Sequence, residues 1–290
     1  MRGAVWLLRA SLCTLVGINV PLTSHAETSL ERQISKEPSP HQGLRSEGLT
    51  IAAHWARYVE QLGHEASNQE RMNQLRKSVA DCVRGNRDSG LPTIEVKQWP
   101  TRLNSVRTDV YVAVDRVATY RHGVAYLLNP QNCALLEHES LTATVRSLTG
   151  VCKVDLLSRT ADSSCANNIQ SVRLKKPSAF LPSPGCALPA TPSLLIPRAT
   201  GERRTVAGHA CDVATNPLDP GQATRCYASG GGFTGHGPHV VANGTSLVIE
   251  SVSTEGFVFT ADEVVLNMAV PDTIFSPQAA TGIRIESAEK

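Results

Sequence analysis

Seven cysteines, Cys82, Cys133, Cys152, Cys165, Cys186, Cys211 and Cys226, constrain this chain more than any other feature, because what precedes them decides whether they bond to one another. Arg2 and Arg9 flank a short apolar run that closes on Ser24-His25-Ala26, the order of a cleaved secretory signal with Glu27 as first mature residue. The run is shorter than the roughly 20 apolar residues that span a bilayer, so no stable membrane span is expected after cleavage. An eighth cysteine, Cys13, leaves with the leader, and Leu12 before it is too bulky for a lipoprotein attachment site. The expected location is periplasmic or secreted.

In an oxidising compartment such spacings read as disulfides before they read as metal ligands. No pair has CxxC spacing, which argues against a zinc ribbon or a thioredoxin-type site. Pairing neighbours costs least loop entropy and predicts Cys133 with Cys152, Cys165 with Cys186, and Cys211 with Cys226. Cys82 is then the spare, buried on an apolar helix face.

Loss of Arg2 and Arg9 leaves 26 basic and 26 acidic side chains. A neutral chain lacks the clustered Lys and Arg that phosphates attract, so neither nucleic acid nor an anionic membrane is an expected partner. Aromatic content of 4% speaks against a stacking surface for sugars.

Residues 27–48 lack periodicity and read as a flexible leader. Ile51, Trp55, Val59 and Leu62 recur at helical spacing, as do Met72, Leu75, Val79, Cys82 and Val83, which predicts two amphipathic helices over 49–62 and 68–84. Beyond Pro92 the period changes to short β-branched runs at 106–117, 123–128, 134–137, 141–148 and 151–157, with a turn at Asn129-Pro130-Gln131-Asn132. The domain order is thus helices plus antiparallel strands over 49–176, then a Pro-rich linker or strap over 177–200 that cannot enter a ladder. Strands resume over 201–290, at 203–213, 224–228, 246–251, 256–270 and 282–286, and are expected to complete the same sheet. The fold class is α+β: a curved antiparallel sheet with two N-terminal helices, stabilised by disulfides.

Arg204-Thr-Val-Ala-Gly-His-Ala-Cys211-Asp-Val, Cys226 at a strand restart, and Glu263-Val-Val-Leu-Asn-Met-Ala-Val-Pro-Asp-Thr-Ile-Phe-Ser-Pro277 carry a resemblance. With Leu127-Leu128-Asn129-Pro130, they resemble strands and turns of exported bacterial proteins related to the lipoprotein-localisation carriers. The likeness covers the C-terminal third and departs over 130–190 and in the Gly-rich loop. It implies a half-barrel with helices over its concave face, in which Gly208 lets the backbone bend and a Cys211–Cys226 bridge clamps adjacent strands.

The Gly230 to Gly237 loop lacks the Lys-Ser/Thr ending and following helix of a nucleotide loop and reads as a hairpin tip. His236 and His239 on that loop, with His209 and with Asp212 adding an oxygen, form the best candidate metal set, suited to copper or zinc. No GxSxG elbow is present. Glu137, His138 and Glu139 alternate faces of a strand and so do not form a paired-carboxylate site. Asn243-Gly244 reads as a hairpin turn rather than a glycosylation site. No catalytic residue and no obligatory cofactor is assigned.

Two functions follow as expectations. The first is non-catalytic binding of a hydrophobic or amphiphilic ligand, a lipid or lipoprotein-like cargo or an envelope protein. Trp55, Val59, Met72, Leu75 and Val79, with Ile51, would then form the helical wall of the cavity. The alternative is a periplasmic metal-binding protein built on His209, His236 and His239. A hydrolase assembled from distant residues is a third class that no motif supports.

Overall fold

The computed structural model describes residues 29–43, 49–61, 65–147, 150–166, 198–215, 224–232, 246–252 and 258–286. The chain opens with helix α1 (Ser29–Lys36) and a one-turn helix α2 (Pro40–Gly43), then strand β1 (Thr50–Gln61) and the long helix α3 (Glu65–Asp88). Five strands follow: β2 (Asn104–Val112), β3 (Arg116–Leu128), β4 (Leu135–Ser147), β5 (Gly150–Asp155) and β6 (Thr160–Ala161). The remaining strands are β7 (Arg198–Val206), β8 (His209–Thr215), β9 (Thr224–Gly232), β10 (Ser246–Val252), β11 (Val258–Pro271) and β12 (Arg284–Ile285). Two 3-10 turns, Asp272–Phe275 and Pro277–Ala279, lie between the last two strands.

The twelve strands form one open sheet in the order β12-β6-β5-β4-β3-β2-β1-β11-β10-β9-β8-β7. Its strand pairs are antiparallel except β12 beside β6. β1 is the central joint, with β2 on one side and β11 on the other. The C-terminal strands therefore continue the sheet begun upstream.

Within residues 49–62, expected as a helix, Thr50–Gln61 form strand β1 instead. β1 is covered on both faces, since Ala53, His54, Trp55, Ala56 and Tyr58 are all buried, and a strand buried on both sides loses the alternation that would announce it. Trp55 and Ala56 point to opposite faces and enter different cores. On the β1–β6 side, Trp55 packs with Tyr111, Tyr120, Val145, Val154, Ile274 and Phe275. On the other side, Ala56 and Tyr58 pack with Val213, Leu247, Ile249 and the Cys211 and Cys226 sulfurs. The sheet thus buries opposite faces on the two sides of β1.

The second expected helix exists as α3. It is pinned at both ends: Asn68 donates to the Thr101 carbonyl at 3.1 Å, and Asn86 donates to the Gln131 carbonyl at 3.0 Å. The expected flexible leader instead carries α1 and α2 in its described part. Ile34 of α1 packs with Leu30 against Val124 and Tyr126 of β3, and the buried Glu31 accepts from Thr101 and Ser105.

Among the described residues three disulfides are present: Cys82–Cys133, Cys152–Cys165 and Cys211–Cys226. The last matches its expectation, because β8 and β9 place both cysteines on one face of neighbouring strands. The expected pairs Cys133 with Cys152 and Cys165 with Cys186 are not formed. Cys133, in the β3–β4 turn, reaches across to Cys82 on α3, so Cys82 is no spare. Cys152 on β5 faces the turn after β6 that carries Cys165. Cys186, residues 1–28 and most of the Pro-rich segment lie outside the described residues, as do the Gly-rich loop histidines.

The expected single strand over 203–213 is a hairpin, turning at Ala207 (φ 48°) and Gly208 (φ 78°). Two successive residues with positive φ are the primed turn that suits the strand twist, and Gly208 takes its place there without strain. Three disulfides are typical of an oxidising compartment. Among the described residues no helix is long and apolar enough to cross a membrane.

Candidate functional site

Alternation along β2 sends Arg107, Asp109 and Tyr111 to the sheet face over which α1, α2 and the residues between them lie. β3 offers Tyr120, His122 and Val124 to the same face. The antiparallel register then sets Arg107 directly opposite His122, and Asp109 directly opposite both Tyr120 and, on β1, Arg57. Charged residues on an inward face are costly unless paired, and here each has partners.

Asp109, 1% exposed, is the hub. Its Oδ1 accepts from the Trp55 indole N–H at 3.0 Å, from the Ser39 hydroxyl at 3.0 Å and from Arg57 Nε at 3.3 Å, while Oδ2 accepts from Arg107 Nε at 3.2 Å. Arg57 also bonds to Ser39 and reaches Glu263 on β11. The other end of Arg107 holds the N-terminal segment, donating to the carbonyls of Ile34 at 2.8 Å and Glu37 at 2.7 Å and to the Glu37 carboxylate at 3.1 Å. His122 lies between two carboxylates, with Nδ1 at 2.5 Å from Glu37 and Nε2 at 2.7 Å from Glu139. Each ring nitrogen thus faces a carboxylate oxygen.

His41 of α2 stands at the far end, its Nδ1 at 2.8 Å from the Tyr111 hydroxyl. Burial pushes its pKa below the usual value, with the Asp109 carboxylate acting in the opposite sense. Burial likewise pushes the hydroxyls of Tyr111 and Tyr120 well above the ordinary tyrosine range, so both remain protonated donors. Tyr120 donates to the Ile274 carbonyl at 2.8 Å, tying the sheet to the C-terminal 3-10 turns.

Between the N-terminal segment, the sheet and those turns lies a cavity of about 460 Å³. Its walls are largely apolar, from Pro38, Pro40, Leu141, Leu156, Pro277, Ala279 and Ala280. One corner is polar, where Glu37, Arg107 and His122 converge. Ser276 also lines it, and its buried hydroxyl has no hydrogen-bond partner among the described residues.

The residues expected to form a binding wall are elsewhere. Trp55 is in the sheet core, bonded to Asp109 but not lining the cavity. Val59 stands on β1 opposite Arg107. Met72 and Val79 are buried and Leu75 half-buried on α3, outside both sheet cores and the cavity lining. Of the metal candidates, His209 Nε2 donates to the Val264 carbonyl at 3.1 Å, while Asp212 accepts from Arg203 at 2.7 Å and from Ser229. His236 and His239 lie outside the described residues, among which no group of three His, Cys, Asp or Glu side chains is placed to hold a metal ion.

Glu37, Arg107, Asp109, His122 and Glu139 were missed by sequence reasoning. Arg107-Thr-Asp109 between Val106 and Val110 was the available signal: two charges at strand spacing inside an otherwise apolar run.

No family model and no curated protein matches the chain. Among solved structures, one titled "Structure of PNGF-II in C2 space group" aligns over 81% of this chain and 30% of its own length, at 12% identity and a TM-score of 0.32. This chain therefore spans less than a third of that structure, and so low a score supports no conclusion about fold or function.

Proposed function

We propose that this chain is an exported, non-catalytic binding protein for a small amphiphile, whose apolar part enters the cavity beneath the N-terminal segment and whose polar end meets Glu37, Arg107 and His122. One observation carries the reading: a largely apolar cavity of about 460 Å³ with its charged groups gathered at a single corner. That size lies within the range of about 300 to 1,000 Å³ usual for small-molecule sites, and apolar walls with few convergent polar groups are their usual chemistry. Each methylene buried contributes about 0.8 kcal/mol. The leader and the disulfides support a periplasmic or secreted location, and the resemblance of the C-terminal third to lipoprotein-localisation carriers, which handle acylated cargo, supports the ligand class.

Calorimetric titration of the delipidated protein with decanoate and with decanol tests this. Ala279→Trp fills the cavity from an exposed position and is expected to weaken binding of either amphiphile by at least about tenfold. Absence of binding, or binding that Ala279→Trp leaves unchanged, would count against the cavity.

A further inference from the structure

We infer that Glu37 is a built-in stand-in for the ligand's head group, and that the amphiphile this cavity takes carries a single carboxylate. This deepens the amphiphile reading and rests on it.

Arg107 and His122 are 5% and 4% exposed, sit directly opposite one another on β2 and β3, and both point at one atom, Glu37 Oε2, at 3.1 and 2.5 Å. Arg107 and His122 belong to the sheet, whereas the carboxylate is brought by the N-terminal segment and is 35% exposed at the cavity wall. The sheet's remaining charges do not make Glu37 redundant. Asp109 is already shared among Arg57, Arg107, Trp55 and Ser39, Glu139 is engaged on the far nitrogen of His122, and Glu263 meets Arg57 alone. Glu37 is therefore the carboxylate that Arg107 Nη2 and His122 Nδ1 share at the cavity wall. The buried Arg107 guanidinium left without this charge-assisted partner is unfavourable, so this position selects an anion whenever Glu37 leaves it.

The Glu37 side chain can leave without detaching the segment, because Arg107 Nη1 independently holds the backbone carbonyls of Ile34 and Glu37 at 2.8 and 2.7 Å. An acyl carboxylate has the charge, planarity and acceptor geometry of the group it replaces, and charge-assisted bonds of this kind are the strong ones. A neutral head group offers no such exchange. The chemistry therefore favours a fatty-acid-like monocarboxylate over an alcohol or an amine of equal chain length.

The test is the isosteric variant Glu37→Gln, titrated with decanoate and with decanol beside the wild type. Removing the competing charge is expected to raise decanoate affinity by at least about tenfold while leaving decanol within about twofold. Unchanged or weaker decanoate binding in a folded Glu37→Gln protein, or an equal gain for decanol, overturns the inference while leaving the cavity reading intact. If neither amphiphile binds either protein, the cavity reading fails and this inference with it. A wild-type measurement guards against a variant that does not fold: the carboxyl 13C resonance of Glu37 is expected to shift on adding decanoate and to stay in place with decanol. Identical responses to both overturn the inference.

Discussion

Arg107 and Asp109 stand two residues apart on β2 and bond to each other at 3.2 Å, with side chains 5% and 1% exposed. The pair is the base on which the N-terminal segment rests, since Asp109 also accepts from Ser39 and Arg107 also holds Ile34 and Glu37. Asp109→Ala would leave the Arg107 guanidinium and the Trp55 indole short of an acceptor in a buried site. The expected loss is about 3 to 5 kcal/mol, read from the shift of the urea midpoint. A loss below about 1 kcal/mol, as for an exposed ion pair, would contradict this placement.

The Cys82–Cys133 bridge closes 51 residues, against 13 for Cys152–Cys165 and 15 for Cys211–Cys226. Loop entropy then assigns it about 4 kcal/mol and the shorter two about 3 kcal/mol each. Guanidinium unfolding of Cys82→Ala/Cys133→Ala is expected to show a larger loss than that of Cys211→Ala/Cys226→Ala. Because six of the seven cysteines within residues 27–290 bond to one another, that stretch, denatured and unreduced, is expected to show one titratable thiol, from Cys186. Three thiols, or a tryptic peptide linking Cys133 to Cys152, would refute the pairing.

Burial holds His41 and His54 below the ordinary value of 6.5. The unfolded chain therefore takes up protons first as pH falls. Their contribution to stability is complete above about pH 6.5 and declines as pH drops below it toward their folded values. Urea midpoints are expected to be lower at pH 5.5 than at pH 7.5, with a smaller difference in His41→Gln. A midpoint that rises on acidification would show the sign to be wrong.

Much of the sheet was legible because alternation survives where one face is covered less than the other, as in β2 and β3, and the Asn129-Pro130 turn announced itself by composition. β1 was not legible, since burial on both faces removed the alternation and left Ile51, Trp55 and Val59 at helical spacing. α1 was hidden by a polar composition, although Ile34 and Glu31 are strongly buried. Nearest-neighbour cysteine pairing failed where tertiary packing of α3 outweighed loop entropy. The site was illegible for a further reason: Arg107, His122 and Glu139 come from three strands and meet through strand register, while Glu37 arrives on the connection between α1 and α2. The expectation that Glu137, His138 and Glu139 alternate faces was sound, yet it concealed that Glu139 would meet a histidine seventeen residues upstream.

Native mass spectrometry of residues 27–290 titrated with decanoate tests the amphiphile cavity most directly. A single adduct of one decanoate per chain is expected, lost on denaturation and strongly reduced in Ala279→Trp. A bare mass at every decanoate concentration, or an adduct equally abundant in Ala279→Trp, would contradict it.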